Sequence, residues 1–209
     1  MPQAEFPRLY TNILKHHLAT YREMAFVSGA RQVGKTTSCR SVADAYLNWD
    51  NDDHRRILLR GPSAIAEAIH LNQLSPADPV VVIDEFHKHA KWKNLLKGFY
   101  DTYKDSARVL VTGSSRLDVY RRGSDSLMGR YLLYRMHPLS VAECLRTTVP
   151  EKTVQPPEEI SQADWDALWE HGGFPGPFLR RDSRFTRQWR LLRQELLSRE
   201  DLREVTMVQ

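Results

Sequence analysis

Gly29, Gly34, Lys35 and Thr36 stand in the run "GARQVGKTT", residues 29–37, with four residues between the two glycines. That spacing is the pattern of a phosphate-binding loop. Glycines let the chain turn tightly, so that backbone N–H groups face phosphate oxygens. A helix beginning at Lys35 aims its positive end at the same place. Lys35 then reaches the β- and γ-phosphates, and the Thr36 hydroxyl holds magnesium. The binding candidates are Gly29, Ala30, Arg31, Gln32, Val33, Gly34, Lys35, Thr36 and Thr37. The alternative is a glycine-broken turn, which matches by chance in about one chain of this length in a hundred. A preceding apolar run and a following helical stretch favour the loop. By itself the loop leaves kinase, GTPase and ATPase chemistry open.

Asp84 and Glu85 end the run "VVVIDE". An apolar strand buried beside the loop delivers Asp84 to magnesium, and Glu85 polarises an attacking water as general base. Alone, the pair also fits a solvated acidic strand end. Small-molecule kinases usually lack a water-activating acid after the Asp, so Glu85 favours hydrolysis. His87 and His89 follow, and solvated histidines at a helix start describe them better than metal ligands. Thr112-Gly113-Ser114-Ser115 ends another apolar run. Ser114 or Ser115 orients the water, or caps a helix; Ser114 is taken as the catalytic candidate. In "RRGSDSLMGRY", Arg130 lies at a strand edge, and Arg121 and Arg122 are more mobile. Arg130 is the candidate for neutralising charge on the γ-phosphate, in cis or from a neighbouring subunit. The alternative is a solvated loop charge.

The elements that must position these residues follow from periodicity. Residues 6–21 carry Leu9, Ile13, Leu14 and Leu18 at helical spacing. Residues 24–28, 45–50, 79–85, 108–115 and 131–136 read as strands. Helices are expected over 36–44, 63–74 and 92–103. Four consecutive branched apolar residues in "PVVVIDE" fit a parallel strand covered on both faces. Strands alternating with helices predict an α/β fold, a three-layer α/β/α P-loop architecture with a five-stranded, mainly parallel sheet. After Pro138 the chain turns to helices and loops, with a polar, proline-rich connector over 150–159 and a glycine/proline turn in "HGGFPGPF". The expected division is a nucleotide-binding core over 1–137 and a small helical domain over 138–209.

Composition bounds the class. The 209 residues are 41% hydrophobic and 27% charged, ordinary for a globular protein. No apolar run approaches the roughly 18 residues of a membrane span, so no membrane partner is expected. The start lacks a signal-peptide pattern. Cys39 and Cys144 do not read as a disulfide framework, and a cytoplasmic setting is expected. The net charge of +4 permits nucleic-acid contact without arguing for it. In the last segment Arg180, Arg181, Arg184, Arg187, Arg190, Arg193, Arg199 and Arg203 are interspersed with Glu195, Glu200, Asp201 and Glu204. That pattern favours a solvated helix face over a phosphate-binding stripe.

Taken together, "GARQVGKTT", "YLNWDNDD", "VVVIDEFHK", "LVTGSSRLDVYRRGSDSLMGRY", "HPLSVAE" and "GGFP" resemble prokaryotic AAA-superfamily ATPases of the GxRQVGKTT type. The matching stretches spread over most of residues 8–180. The resemblance implies ATP rather than GTP, Mg2+, and hydrolysis to ADP and phosphate. It also implies a strand inserted between the loop strand and the Asp84 strand, followed by a helical lid. In related lids a Gly/Pro turn packs near the adenine, which carries that role onto Pro175. Members usually continue past the "REDL" region into a winged-helix or nuclease-like domain, so the lid here reads as truncated. A homo-oligomer that supplies the arginine in trans and contact with nucleic acid are admitted as partners. So is an ATP-dependent switch or scaffold with little intrinsic turnover.

Overall fold

A computed structural model describes residues 6–71, 78–113, 127–152 and 154–197. Its centre is one sheet of five strands: β1 (Met24–Gly29), β2 (Ala45–Asn48), β3 (Val80–Asp84), β4 (Arg108–Thr112) and β5 (Tyr131–Met136). The spatial order is β2-β3-β4-β1-β5, and every neighbouring pair is parallel. The five-stranded α/β sheet expected from the alternation is present. The inserted strand is β4, between β1 and β3. Parallel pairing sends every strand's carboxyl end to the same edge. In register, Gly29 faces Met136, and Asp84 faces both Asn48 and Thr112. Open α/β sheets bind ligands at that edge.

The strands are apolar because helices cover them. β1 buries Met24 to Val27 completely, and β3 buries Val81, Val82 and Ile83. The helix α5 (Trp92–Tyr103) turns Trp92, Leu96 and Phe99 inward, the spacing of one helical face. Phe26 stacks on Tyr131 with ring centroids 4.5 Å apart. Each such side chain contributes about 1.5–3 kcal/mol on burial.

The remaining helices of the sheet region depart from the periodicity at their ends. α1 spans Leu9–Thr20 and α2 spans Lys35–Arg40, shorter than the expected 36–44. Asp44 leaves the helix for the sheet. Its N–H donates to Val80 O at 2.9 Å and its carboxylate accepts from Val80 N at 2.8 Å. The helix expected over 63–74 is present only as the shorter α4 (Pro62–Ala68), and it is preceded by a helix that was not expected, α3 (Asp52–Arg60); residues 72–77 lie outside the described chain. Gly61, at φ 98°, separates them, a conformation open chiefly to glycine. Asn51 starts α3 by accepting from the N–H groups of Asp53 and His54. Asp52 and Asp53 favour the positive end of that helix.

The chain divides into two compact units, Met1–His137 with Arg146–Thr153, and Pro138–Leu145 with Val154–Gln209. The return of 146–153 to the first unit is marked by Asn12 Nδ2 donating to Thr147 O at 2.9 Å. The second unit contains α6 (Val141–Leu145), α7 (Gln162–His171), α8 (Pro175–Arg180) and α9 (Ser183–Leu196). The His171 ring and the Thr186 hydroxyl join α7 to α9 at 2.9 Å. Phe174 packs on Trp189. The basic residues there have local work. Arg180 covers Phe185 and Arg193 covers Phe174, while Arg190 donates to Glu170 O at 2.7 Å. Among the described residues, no helix is long and apolar enough to cross a membrane.

Candidate nucleotide site

Of the residues expected to act on phosphate, those of the loop over 29–36, with Asp84 and Glu85, lie at the carboxyl edge of the sheet. Residues 29–34 form the loop between β1 and α2. Gly29 must be glycine: its φ is 145°, and an added Cβ would collide with the Met136 carbonyl oxygen of β5. Gln32 (φ 63°) and Gly34 (φ 102°) are left-handed, the backbone state of anion-binding turns. Val33 is fully buried between them. Ala30 and Arg31 are partly covered, Gln32 is exposed, and Thr37 is exposed on the first turn of α2.

Lys35 is only 7% exposed. Its Nζ donates to Gly29 O at 2.9 Å and to Ala30 O at 2.8 Å. Burial lowers its pKa below the ordinary lysine value, against the raising effect of Glu85 and Asp84. An ammonium held on two neutral carbonyls beside the loop is placed to exchange them for phosphate oxygens.

Asp84 is 4% exposed, and three hydroxyls from three elements donate to it. Thr36 Oγ1 of α2 reaches Oδ2 at 3.0 Å, Tyr46 OH of β2 reaches Oδ2 at 2.6 Å, and Thr112 Oγ1 of β4 reaches Oδ1. A carboxylate taken this far from water needs such donors. Burial and the Asp84 bond push the Tyr46 phenol well above its ordinary pKa, so it stays a donor. Thr36 and Asp84 supply adjacent hard oxygens, the donor set that suits Mg2+, which takes few protein ligands and completes its shell with water and phosphate. Thr36 gives its hydrogen to Asp84 and keeps its lone pairs for a cation. Among the described residues no group of three His, Cys, Asp or Glu side chains forms a metal cluster.

Glu85 follows in a left-handed conformation, φ 56° and ψ 21°, which is uncommon for a residue with a side chain. Its N–H donates to Thr112 O at 3.1 Å. Its carboxylate lies 3.4 Å from Lys88 Nζ and 3.8 Å from the His87 ring. Lys88 is held in turn by Asp50 at 2.6 Å. Burial works against the Lys88 charge, but the Asp50 hydrogen bond and Glu85 raise its pKa overall. Cys39 lies behind the loop, and burial pushes its thiol far above the ordinary value.

Arg130 requires a correction. Tyr131, the next residue, pairs with Met24 at the amino end of the sheet, while Gly29 pairs with Met136. Five residues of strand separate the two ends, about 17 Å at the usual rise. There the guanidinium forms a fork on Asp101, at 2.7 and 3.1 Å. The geometry does not bring it to the loop of its own chain, so the cis reading falls. Arg130 does stand at a strand end, but sequence does not say which end of a strand faces the loop. Ser114 lies outside the described residues, as do Arg121 and Arg122. Pro175 opens the first turn of α8 in the second unit.

Sequence reasoning did not single out Tyr46 or Thr112 as site residues, nor Lys88. Thr112 had a signal: it is the polar end of an apolar strand adjacent to the one that carries Asp84. Tyr46 had none until its register, two residues before Asn48 opposite Asp84, was fixed.

A parallel sheet of this order, with both nucleotide motifs at one edge, defines a P-loop nucleotide-binding fold of AAA type. The sequence profile of the family described as "AAA domain" matches residues 21–145, and the chain belongs to that family. Two mycobacterial relatives are each 26% identical over 167 residues: the uncharacterized proteins Mb2031c of Mycobacterium bovis and Rv2008c of Mycobacterium tuberculosis. The match takes in 80% of this chain and 33% of each relative, so the chain spans about a third of their length. Among solved structures, AMPPCP-bound DnaA from Aquifex aeolicus is 15% identical with a TM-score of 0.49, over 96% of this chain and 66% of that one. The Aeropyrum pernix Orc1 protein in complex with DNA is 16% identical with a TM-score of 0.47, over 69% and 48%.

Proposed function

We propose that this chain binds ATP with Mg2+ and hydrolyses it to ADP and phosphate. The observation that carries the reading is the 3.0 Å bond from Thr36 to Asp84, which joins the phosphate loop to the second motif. Lys35 and the loop N–H groups of residues 29–36 would hold the phosphates. Thr36 and Asp84 would hold Mg2+, which when bound neutralises charge on the phosphate oxygens. Glu85 accepts a proton from water as its oxygen attacks the γ-phosphorus and the bond to the ADP oxygen breaks. The preference for ATP over GTP, the packing of Pro175 on adenine and a water-orienting role for Ser114 belong to the same reading. So does the cytoplasmic setting expected from the sequence.

Calorimetry and phosphate release test it. Wild type should bind ATP and turn it over only with Mg2+. Lys35→Ala should weaken ATP binding at least tenfold. Glu85→Gln should keep binding and lose turnover by about a hundredfold or more, the usual worth of a general base. Unchanged binding in the lysine variant, or full turnover in the glutamine variant, removes the assignment.

The corrected place of Arg130 favours a second reading, in which the isolated chain is an ATP-bound switch with slow turnover. Missing arginine fingers leave such sites slow by about 10³–10⁵-fold. A homo-oligomer would then supply the cation in trans, and specific activity should rise with protein concentration. Flat specific activity would count against assembly. A shift of the turnover rate by DNA at low salt would add nucleic acid as a partner; the same rate with and without DNA would remove it.

A further inference from the structure

Arg8 carries no chemistry in the loop pattern, yet its side chain reaches the loop. It precedes α1, is 7% exposed, and makes no side-chain cap for that helix. Its Nη1 donates to Val33 O at 2.6 Å and its Nη2 donates to His137 O at 2.9 Å. The two acceptors differ in kind. Val33 lies inside the phosphate loop between two left-handed residues. His137 is the last residue before Pro138, where the first unit gives way to the second.

The bond to Val33 has a geometric consequence. In a trans peptide the C=O and the N–H point in opposite directions. A guanidinium that fixes the direction of Val33 O therefore fixes the direction of the Gly34 N–H. A phosphate loop works through such N–H groups, and Gly34 is free to rotate because it lacks a side chain. Something outside the motif has to choose its orientation, and Arg8 is bonded to the peptide that decides it. Charge-assisted bonds of this kind are stronger than neutral ones, and this one is shielded from water.

The second bond anchors the clamp to a stiff point. Residues 135–137 are gripped from α1 and from the loop together. Tyr10 OH donates to Arg135 O at 3.0 Å and accepts from His137 N at 3.1 Å. Gly29 comes so close to Met136 O that no side chain fits between them. The loop, the start of α1 and the end of β5 thus form one backbone junction with Arg8 at its centre.

We propose that Arg8 is a positioning residue for the nucleotide site: it sets the phosphate loop in its anion-binding conformation by tying Val33 O to the end of β5. This rests on the nucleotide reading above, but the clamp itself is testable without nucleotide. Amide hydrogen exchange on the full chain, with no ligand, compares wild type with Arg8→Gln and Arg8→Lys. The expected result is faster exchange by tenfold or more over residues 30–36, with β3 and β4 amides unchanged. Lysine keeps the charge but lacks the fork, so it should restore less than half of the protection. Uniform acceleration over the whole first unit, or an unaltered loop, would overturn the proposal. In the same variants, the ATP dissociation constant should rise about tenfold while the melting temperature of the first unit stays within a few degrees. ATP affinity within twofold of wild type, in a folded variant whose loop exchanges faster, would also overturn it. If wild type binds no ATP, the nucleotide reading fails, and the exchange arm still decides whether Arg8 holds the loop. Should the glutamine variant not fold, the lysine variant alone carries both measurements.

Discussion

Two glycines separate two physical reasons for being glycine. Gly61 has φ 98° and ψ −172°, and an added Cβ meets nothing within 4 Å. Alanine there pays only for a backbone region that side chains avoid, about 1–3 kcal/mol. Gly29 has φ 145° and a steric problem besides: the Cβ would overlap Met136 O and stand 3.2 Å from its carbonyl carbon. That carbonyl belongs to β5, which is laddered to β1 along its length, so it cannot swing aside as a side chain tip would. Overpacking adds about 1–3 kcal/mol. Taking the middle of each range, Gly61→Ala costs about 2 kcal/mol and Gly29→Ala about 4 kcal/mol. At about 2–4 °C per kcal/mol for a chain this size, the melting temperatures fall by about 6 and about 12 °C. Scanning calorimetry of the first unit reads both. Gly29→Ala should also lose ATP binding, since the strand end that launches the loop must move, whereas Gly61→Ala should keep it. A Gly29→Ala protein that melts no lower than Gly61→Ala would refute the argument from the β1–β5 contact.

Two other perturbations have definite signs. Lys88→Ala removes the cation 3.4 Å from Glu85; a half-exposed pair of this kind is worth about 0.5–1 kcal/mol, so ATP turnover should rise about two- to fivefold, and turnover that is unchanged in a phosphate-release assay would mean that Glu85 leaves Lys88 before it reacts. His17 is buried, its Nε2 donating to Glu23 O and its Nδ1 accepting from Tyr134 OH, and burial lowers its pKa below 6.5. The unfolded chain therefore takes up a proton first, and stability should fall as pH drops from 6.5 towards the lower folded value. Urea melts at pH 7 and pH 5 should show a smaller loss in His17→Gln than in wild type, and equal losses would exclude His17 as the cause.

The strands and the two nucleotide motifs were legible because each rests on local pattern. β3 announces itself through four branched apolar residues, and the loop through glycine spacing that few other structures need. α3 was not read, although Asn51, Asp52 and Asp53 are a start signal: its apolar face is thin, with Leu58 its one buried side chain among the described residues. The end of α2 was overrun because Asp44 is recruited by Val80, a contact distant in sequence. Arg130 was misplaced for a related reason. A strand's two ends look alike in sequence, and only the parallel register tells which of them meets the loop. Tyr46 and Arg8 depend on the same kind of information, since each acts on a residue more than twenty positions away.

The Asp84 environment bears on how such a site accepts a cation. Three neutral donors leave the carboxylate's charge uncancelled while removing its need for water. Lys35, a cation whose charge acts on Asp84, is committed to Gly29 O and Ala30 O. The edge of the sheet therefore keeps a fixed negative centre beside a hydroxyl oxygen whose hydrogen already points away. A cation arriving with phosphate oxygens would find its protein ligands oriented, and would not have to break an ion pair first. On the proposed reading that arrangement would favour the metal–nucleotide complex over the bare nucleotide, because phosphate without a metal would face the Asp84 carboxylate. The expected signature is ATP affinity that drops at least tenfold on chelation of Mg2+ in wild type and by much less in Asp84→Asn, where the repulsion is gone. Calorimetry with and without EDTA measures both differences, and an equal drop in the two proteins would mean that Asp84 is not the group that couples metal to nucleotide.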